Sequence, residues 1–232
     1  MPTPFRPADA RLLSVNVAVP VHLPTVRPAK RTAIDKRPVT DRVAVRRLGL
    51  DGDGVGDTRY HGGPDQAVYA FAREDLDLWS ERLGGYLPSG VFGENLTTVG
   101  IDVNEAVVGE RWRIGSTLLE VSSVRIPCNV FKKWLGVTGH DVSGWVRRFT
   151  LEARPGPYLR VLEEGLLGAG DPIVVESRPD HGVTVSTMFR ALTTERSLLP
   201  ELLRVDALPE PVRAKVMAHV EKDRQPTLAA LG

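Results

Sequence analysis

Cysteine is almost missing from this chain: Cys128 is the only one in 232 residues. An internal disulfide, a multi-cysteine zinc site and a protein-held iron–sulfur cluster are therefore excluded, and a reducing, cytoplasmic location is expected. Net charge is also nearly absent. Thirty Lys and Arg against 29 Asp and Glu leave a formal charge of +1, so no global field draws the protein to nucleic acid or to an anionic membrane. No apolar run approaches the ~20 residues that span a bilayer. Leu12 to Val21 follows Arg6 and Arg11 as the core of a signal peptide would, but Asn16 interrupts it and no small-residue cleavage site follows; the alternation of Leu13, Val15 and Val17 with Ser14 and Asn16 reads as a strand. Pro2 excludes N-myristoylation. Internal repeats and low-complexity tracts are lacking as well.

Common site signatures are missing too. The Asp51-Gly-Asp53-Gly-Val55-Gly56 stretch begins like a calcium loop, but Val55 stands at its fifth position and Gly62 at its twelfth, where a bidentate carboxylate is required. No Walker lysine, dinucleotide glycine pattern, H-E-x-x-H helix or G-x-S-x-G elbow is present.

What remains is an ordinary globular composition, 42% hydrophobic and 25% charged, rich in turn formers with 22 Gly and 18 Pro. Many short elements follow. Strands are predicted at Leu12–Val19, Arg31–Val39, Asp41–Leu48, Ala67–Phe71, Ala106–Ile114, Thr117–Val124, Tyr158–Glu163 and Pro172–Ser177, the first three as a meander. Helices are predicted where Ala72, Leu76, Trp79 and Leu83 share a face, from Pro127 to Leu135, and along the stripe Val142, Trp145, Val146, Phe149. Past Arg178 the pattern turns wholly helical. Thr184 is placed to cap the first of three short helices, with Leu198–Val205 and the Val212, Val216, Val220 stripe as the others. The fold class is thus mainly β with α (α+β), divided into residues 1–178, with a core from about 10, and a helical unit at 181–232.

Three clusters carry chemistry. Cys128 follows an apolar strand and opens a helix, where unpaired N–H groups and nearby Arg125 would favour a thiolate, the form that attacks electrophiles and ligates soft metals. The alternative is a small core residue packed with Phe131 and Leu135. The loop from Gly49 to Asp65 holds Asp53, Asp57, Arg59 and His61 among glycines, which let backbone amides approach an anion; a plain surface loop is the other reading. Phe92-Gly93-Glu94-Asn95-Leu96 sets polar groups between apolar ones, as a site or as an Asx turn at a strand end.

Taken together, Gly-Leu-x-Gly-Asp53, His61-Gly62-Gly63-Pro64-Asp65, Phe92-Gly93-Glu94-Asn95-Leu96, Val108-Gly109-Glu110 and Arg125-Ile-Pro-Cys128 resemble, in order and spacing, a MOSC domain, the molybdenum cofactor sulfurase C-terminal type. The resemblance covers about residues 10 to 178, and the helical tail resembles the three-helix appendage of a bacterial subgroup that reduces N-hydroxylated purines. It implies a β-barrel binding the molybdenum cofactor (molybdopterin), with Cys128 ligating the metal. It further implies that Arg59, His61, Gly62, Gly63, Asp65, Gly93, Glu94, Asn95 and Arg125 line the pterin and substrate pocket. Where many relatives carry Lys, position 66 is Gln, so another cation, such as Arg59, Arg125 or Lys132, must meet the cofactor phosphate.

The implied reaction is reduction of an N-hydroxylated compound to its amine by a molybdenum-dependent oxidoreductase, with Cys128, His61, Asp57 and Glu94 as catalytic candidates and Asp53 as a further proton donor. Electrons would come from a separate flavoprotein or iron–sulfur reductase; nucleic acid and membrane are not expected partners. Open alternatives are a non-enzymatic carrier of cofactor or persulfide sulfur on Cys128, and a protein-docking role for the helical tail. Pyridoxal phosphate would need a Schiff-base lysine, Lys132 or Lys133 being nearest to Cys128.

Overall fold

The computed structural model describes residues 9–22, 31–59 and 61–224. The expected outer limits of the two units, residues 1 and 232, lie outside that set. Eight strands form one sheet in the order β11-β7-β8-β9-β5-β6-β1-β2: Ile173–Ser177, Arg111–Ile114, Thr117–Val124, Pro157–Glu163, Val68–Ala72, Leu96–Val99, Arg11–Val17 and Arg37–Val39. A second sheet has the order β10 (Gly165–Leu167), β3 (Val43–Arg46), β4 (Gly49–Leu50). All pairings are antiparallel except β5 with β6, which α1 (Arg73–Leu83) joins as a crossover.

By its ladders the large sheet is open, where the resemblance implied a closed barrel. Among the described residues its end strands β11 and β2 do not pair. The stretch before β11 nevertheless reaches β1: Gly170 N–H donates to Leu12 O, Leu12 N–H to Asp171 O and Ile173 N–H to Ala10 O, each at 2.9 Å. Only one isolated bridge, Arg11 to Pro172, results.

Other expectations need correction, each for a local reason. The first three strands are not one meander, because β3 pairs with β10 and β4 in the second sheet. Arg31–Val39 is paired at Thr32, in an isolated bridge to Val21, and again at its end, as β2 against β1. Lys36 N–H turns back to Ile34 O at 2.9 Å, which leaves residues 33 to 36 irregular. Ala106–Ile114 is a strand only from Arg111, since Glu110 N–H closes a turn on Val107 O at 2.8 Å with Gly109 at φ 92°. The predicted Leu198–Val205 helix is a 3₁₀ segment, Arg196–Arg204, with Pro200 inside it, where proline removes a helix donor. The strands β6 and β10 escaped the sequence pattern.

The core is continuous and strongly aromatic at one end. Phe92, Phe131, Trp145 and Phe149, all buried, meet at ring-centroid distances of 4.9 to 6.3 Å, with Trp79 beyond them. Phe131 comes from α2 (Asn129–Val137), and Trp145 and Phe149 from α3 (Trp145–Glu152), so this cluster fixes where α2 begins. Val142 precedes α3 and Val146 on it is exposed.

Thr184 caps α4 (Val185–Thr193) as predicted, accepting from Thr187 N–H at 3.1 Å. Met188, Phe189, Leu202 and Val216 of α4, the 3₁₀ segment and α5 (Glu210–Arg224) are turned inward and buried, while Met217 on α5 is exposed. Phe149 and Phe189 meet at 6.2 Å, and Val108 N–H donates to Val183 O at 3.0 Å, tying the tail to the sheet.

Candidate functional site

A cavity of about 1130 Å³ opens where residues 31–36, β4 with the stretch up to Arg59, His61 and Gly62, β5, the Gly93–Asn95 turn and the start of α2 converge. Cys128 stands at its wall, and its helical position differs from the expected one. α2 starts at Asn129, with Cys128 as N-cap in extended conformation (φ −130°, ψ 169°) and Pro127 outside the helix. Lys132 N–H to Cys128 O, at 3.1 Å, is a first helical bond. The thiol is half-buried at the mouth of a helix whose other side packs into the aromatic core.

Arg125 is the electrostatic centre. It is buried, and its guanidinium lies 5.3 Å from the Tyr69 ring and 5.4 Å from the Phe131 ring, between two aromatic side chains. Nη1 donates to the Tyr158 hydroxyl at 3.2 Å, while Nε is buried with no hydrogen-bond partner. Among the described residues Arg125 forms no ion pair. An unmatched buried cation is costly unless an anion meets it. The charge of Arg125 bears on Cys128, Lys36 and His61 together.

Lys36 is the main residue that sequence reading missed. Its side chain is 8% exposed, and Nζ is ion-paired with Asp53. Asp53 is held from two further sides, by Ala18 N–H and Asn95 Nδ2, each at 2.8 Å. Asn95 in turn donates to Asn16 O at 3.2 Å and accepts from Tyr69 N–H at 3.1 Å, so its amide locks the acid to β1 and β5. Burial lowers the Lys36 pKa, Asp53 opposes that, and Arg125 adds to it. A signal was there: Lys36 lies two residues from Ile34, on the face that a strand would bury.

Eight of the expected residues line this one cavity: Asp57, Arg59, His61, Gly62, Gly93, Asn95, Arg125 and Cys128, with Asp53 beside them. Asp57 shapes its own turn, accepting from Arg59 N–H at the side chain and from His61 N–H at the carbonyl, both at 3.1 Å. The His61 pKa is lowered, first by burial and then by Arg125, against a smaller pull from Asp57. Gln66 lines the cavity too, and its Oε1 is buried without a partner.

Three expected residues do not line it. Gly63 is exposed, with open space beside it, and lies outside the lining. Asp65 turns the other way, to Arg160, whose Nε and Nη2 donate to Oδ1 at 2.8 and 2.5 Å. Glu94 is fully buried within its own turn, where it accepts from Gly90 N–H at 2.5 Å, Phe92 N–H at 3.0 Å and Thr97 Oγ1 at 3.1 Å. Burial raises its pKa to about 7 against those bonds. As a result Glu94 shapes the cavity wall rather than facing the cavity. Lys132 and Lys133 are likewise off the wall, and the lysine in the cavity is Lys36.

Among the described residues no cluster of three or more His, Cys, Asp or Glu could hold a metal ion, and no helix is long and apolar enough to cross a membrane.

A MOSC domain profile matches residues 57–174. An uncharacterized protein of Bacillus subtilis, YflK, is 33% identical over 216 residues, 92% of this chain and 95% of its own length. The crystal structure of YiiM from Geobacillus stearothermophilus superposes with a TM-score of 0.74 at 26% identity, covering 90% of this chain and 98% of that one. A protein of Gibberella moniliformis named a reductase is 28% identical over 151 residues, 61% of this chain but 26% of its own length.

Proposed function

Because the chain belongs to the MOSC domain family, we propose that it is an oxidoreductase that holds the molybdenum cofactor at the Cys128 cavity and reduces N-hydroxylated compounds to amines. The observation that carries this reading is Arg125, a buried cation with no counterion among the described residues, beside a half-buried thiol. The donor set suits such a group. Cys128 offers one soft ligand, Arg125 offers buried positive charge, and Arg31, Arg46 and Arg59 stand around the cavity. With one protein ligand, the metal's other ligands would come from the cofactor itself. The kinship to a protein named a reductase agrees with the reaction class.

When bound, the cofactor would supply two-electron, oxygen-accepting chemistry. The balance is N–OH plus two electrons and two protons to N–H plus water, with the electrons from a separate flavoprotein or iron–sulfur reductase. The chain's own part is to bind and to deliver protons. Lys36, held by Asp53, and His61, whose pKa burial and Arg125 lower, are the cavity groups placed to pass protons. Tyr69, Tyr158 and Ile34 give the cavity flat and apolar walls that suit a heteroaromatic base.

The test is elemental analysis for molybdenum, with pterin fluorescence, on wild type and Cys128→Ala produced in a host that makes the cofactor, followed by turnover of an N-hydroxylated purine with a chemical reductant. Near-stoichiometric metal that is lost in the variant, together with turnover, is expected. Metal retained without turnover would support the carrier reading, and metal absent from wild type would overturn both.

A further inference from the structure

Arg160 on β9 is gripped on three sides. Besides its two bonds to Asp65, its Nη1 donates to Glu120 Oε1 at 2.7 Å and its Nη2 reaches the Ala207 carbonyl, in the C-terminal segment, at 3.4 Å. Glu120, 7% exposed, is held in turn by Arg111 Nε at 3.1 Å. A planar guanidinium with two carboxylates has little freedom to reorient.

Asp65 is the middle residue of the 3₁₀ turn Pro64–Gln66, and the cavity-lining residues His61, Gly62 and Gln66 lie on either side of it. No residue of that turn is buried, so it has no apolar anchor of its own. Its anchors are polar: Arg160 on the Asp65 carboxylate, and Ser122 Oγ on the Asp65 carbonyl at 2.7 Å. A 3₁₀ turn directs successive side chains about 120° apart. Holding Asp65 toward Arg160 therefore holds Gln66 toward the cavity.

We propose that Arg160 is a positioning residue for the cavity: through Asp65 it sets the wall segment 61–66, and through Ala207 it joins that setting to the helical C-terminal segment. The proposal is independent of any cofactor, and its test uses the full chain as purified without one.

The reporters are the amides of His61, bonded to Asp57 O, and of Gln66, bonded to Gly63 O, both at 3.1 Å, followed by hydrogen exchange and NMR. Arg160→Met and Asp65→Asn should each speed exchange at these two amides by about tenfold or more while leaving the Val185 amide unchanged. The double variant should be no faster than the faster single one, because both remove the same link. Arg160→Lys should recover part of the protection. Arg113→Met, which breaks the pairs to Glu163 and Glu176 elsewhere on the sheet, should leave both reporters as in wild type. Unchanged exchange at His61 and Gln66 in Arg160→Met, multiplicative effects in the double variant, or equal acceleration at every amide would each overturn the proposal. Should Arg160→Met fail to fold, Asp65→Asn leaves the Arg160–Glu120 pair intact and decides the matter alone.

Discussion

Glu94 accepts the Gly90 backbone N–H at 2.5 Å, so the carboxylate closes the turn on which it sits. Its pKa is raised from 4.5 to about 7, chiefly by burial. The folded chain keeps that proton where the unfolded chain has released it, so stability falls as pH rises from 4.5 to about 7 and levels off above. The loss is on the order of 3 kcal/mol. Urea unfolding at intervals from about pH 5 to about pH 8 should show this slope in wild type and lose it in Glu94→Gln. The variant should also be weaker at low pH, because an amide meets the Gly90 and Phe92 donors with one acceptor oxygen instead of two.

His61 should titrate below the usual ~6.5 for a histidine. Burial contributes most and Arg125 next. In Arg125→Met the midpoint should move upward, toward the ordinary value, as the neighbouring charge disappears. A proton NMR titration of the imidazole reads both, and a midpoint unmoved by the substitution would mean that Arg125 does not act on His61.

Gly90 has φ 89°, and a Cβ there would overlap the Lys36 carbonyl. Gly90→Ala combines a strained backbone with a clash against the segment that carries Lys36. The expected cost is about 2 to 4 kcal/mol in chemical denaturation. Gly139→Ala, also at positive φ but with open space around the added methyl, should cost less than half of that.

Phe131 is fully buried, 4.9 Å from Phe92 and 5.2 Å from Trp145, with Arg125 over its ring. Phe131→Ala should destabilise the protein by about 3 to 5 kcal/mol. It should also raise the reactivity of Cys128 toward alkylation, because α2 loses the contact that fixes its start. Urea midpoints and the alkylation rate are the two readouts.

Element types were largely legible in the sequence, because local pattern governs them. The stretch Thr117–Val124 is a fully buried strand with those same limits, and the Thr184 cap is where the sequence placed it. The failures cluster where a turn competes with a pattern: Lys36 turning back on Ile34, Glu110 on Val107, and Cys128 remaining extended before α2. For the site, eight of the expected residues meet at one cavity. Asp65 and Glu94 carry motif positions, yet point away from it.

By itself the sequence determined the chemistry available: one thiol, balanced charge, glycine loops among acids and cations, and an ordered set of motifs that names the family. Only the tertiary structure decided which of these groups face one another. Burial is a property of the whole fold, so Lys36 became a cavity cation, Glu94 a buried clamp with its pKa near 7, and Arg125 a charge with no counterion among the described residues only when strands distant in sequence closed around them.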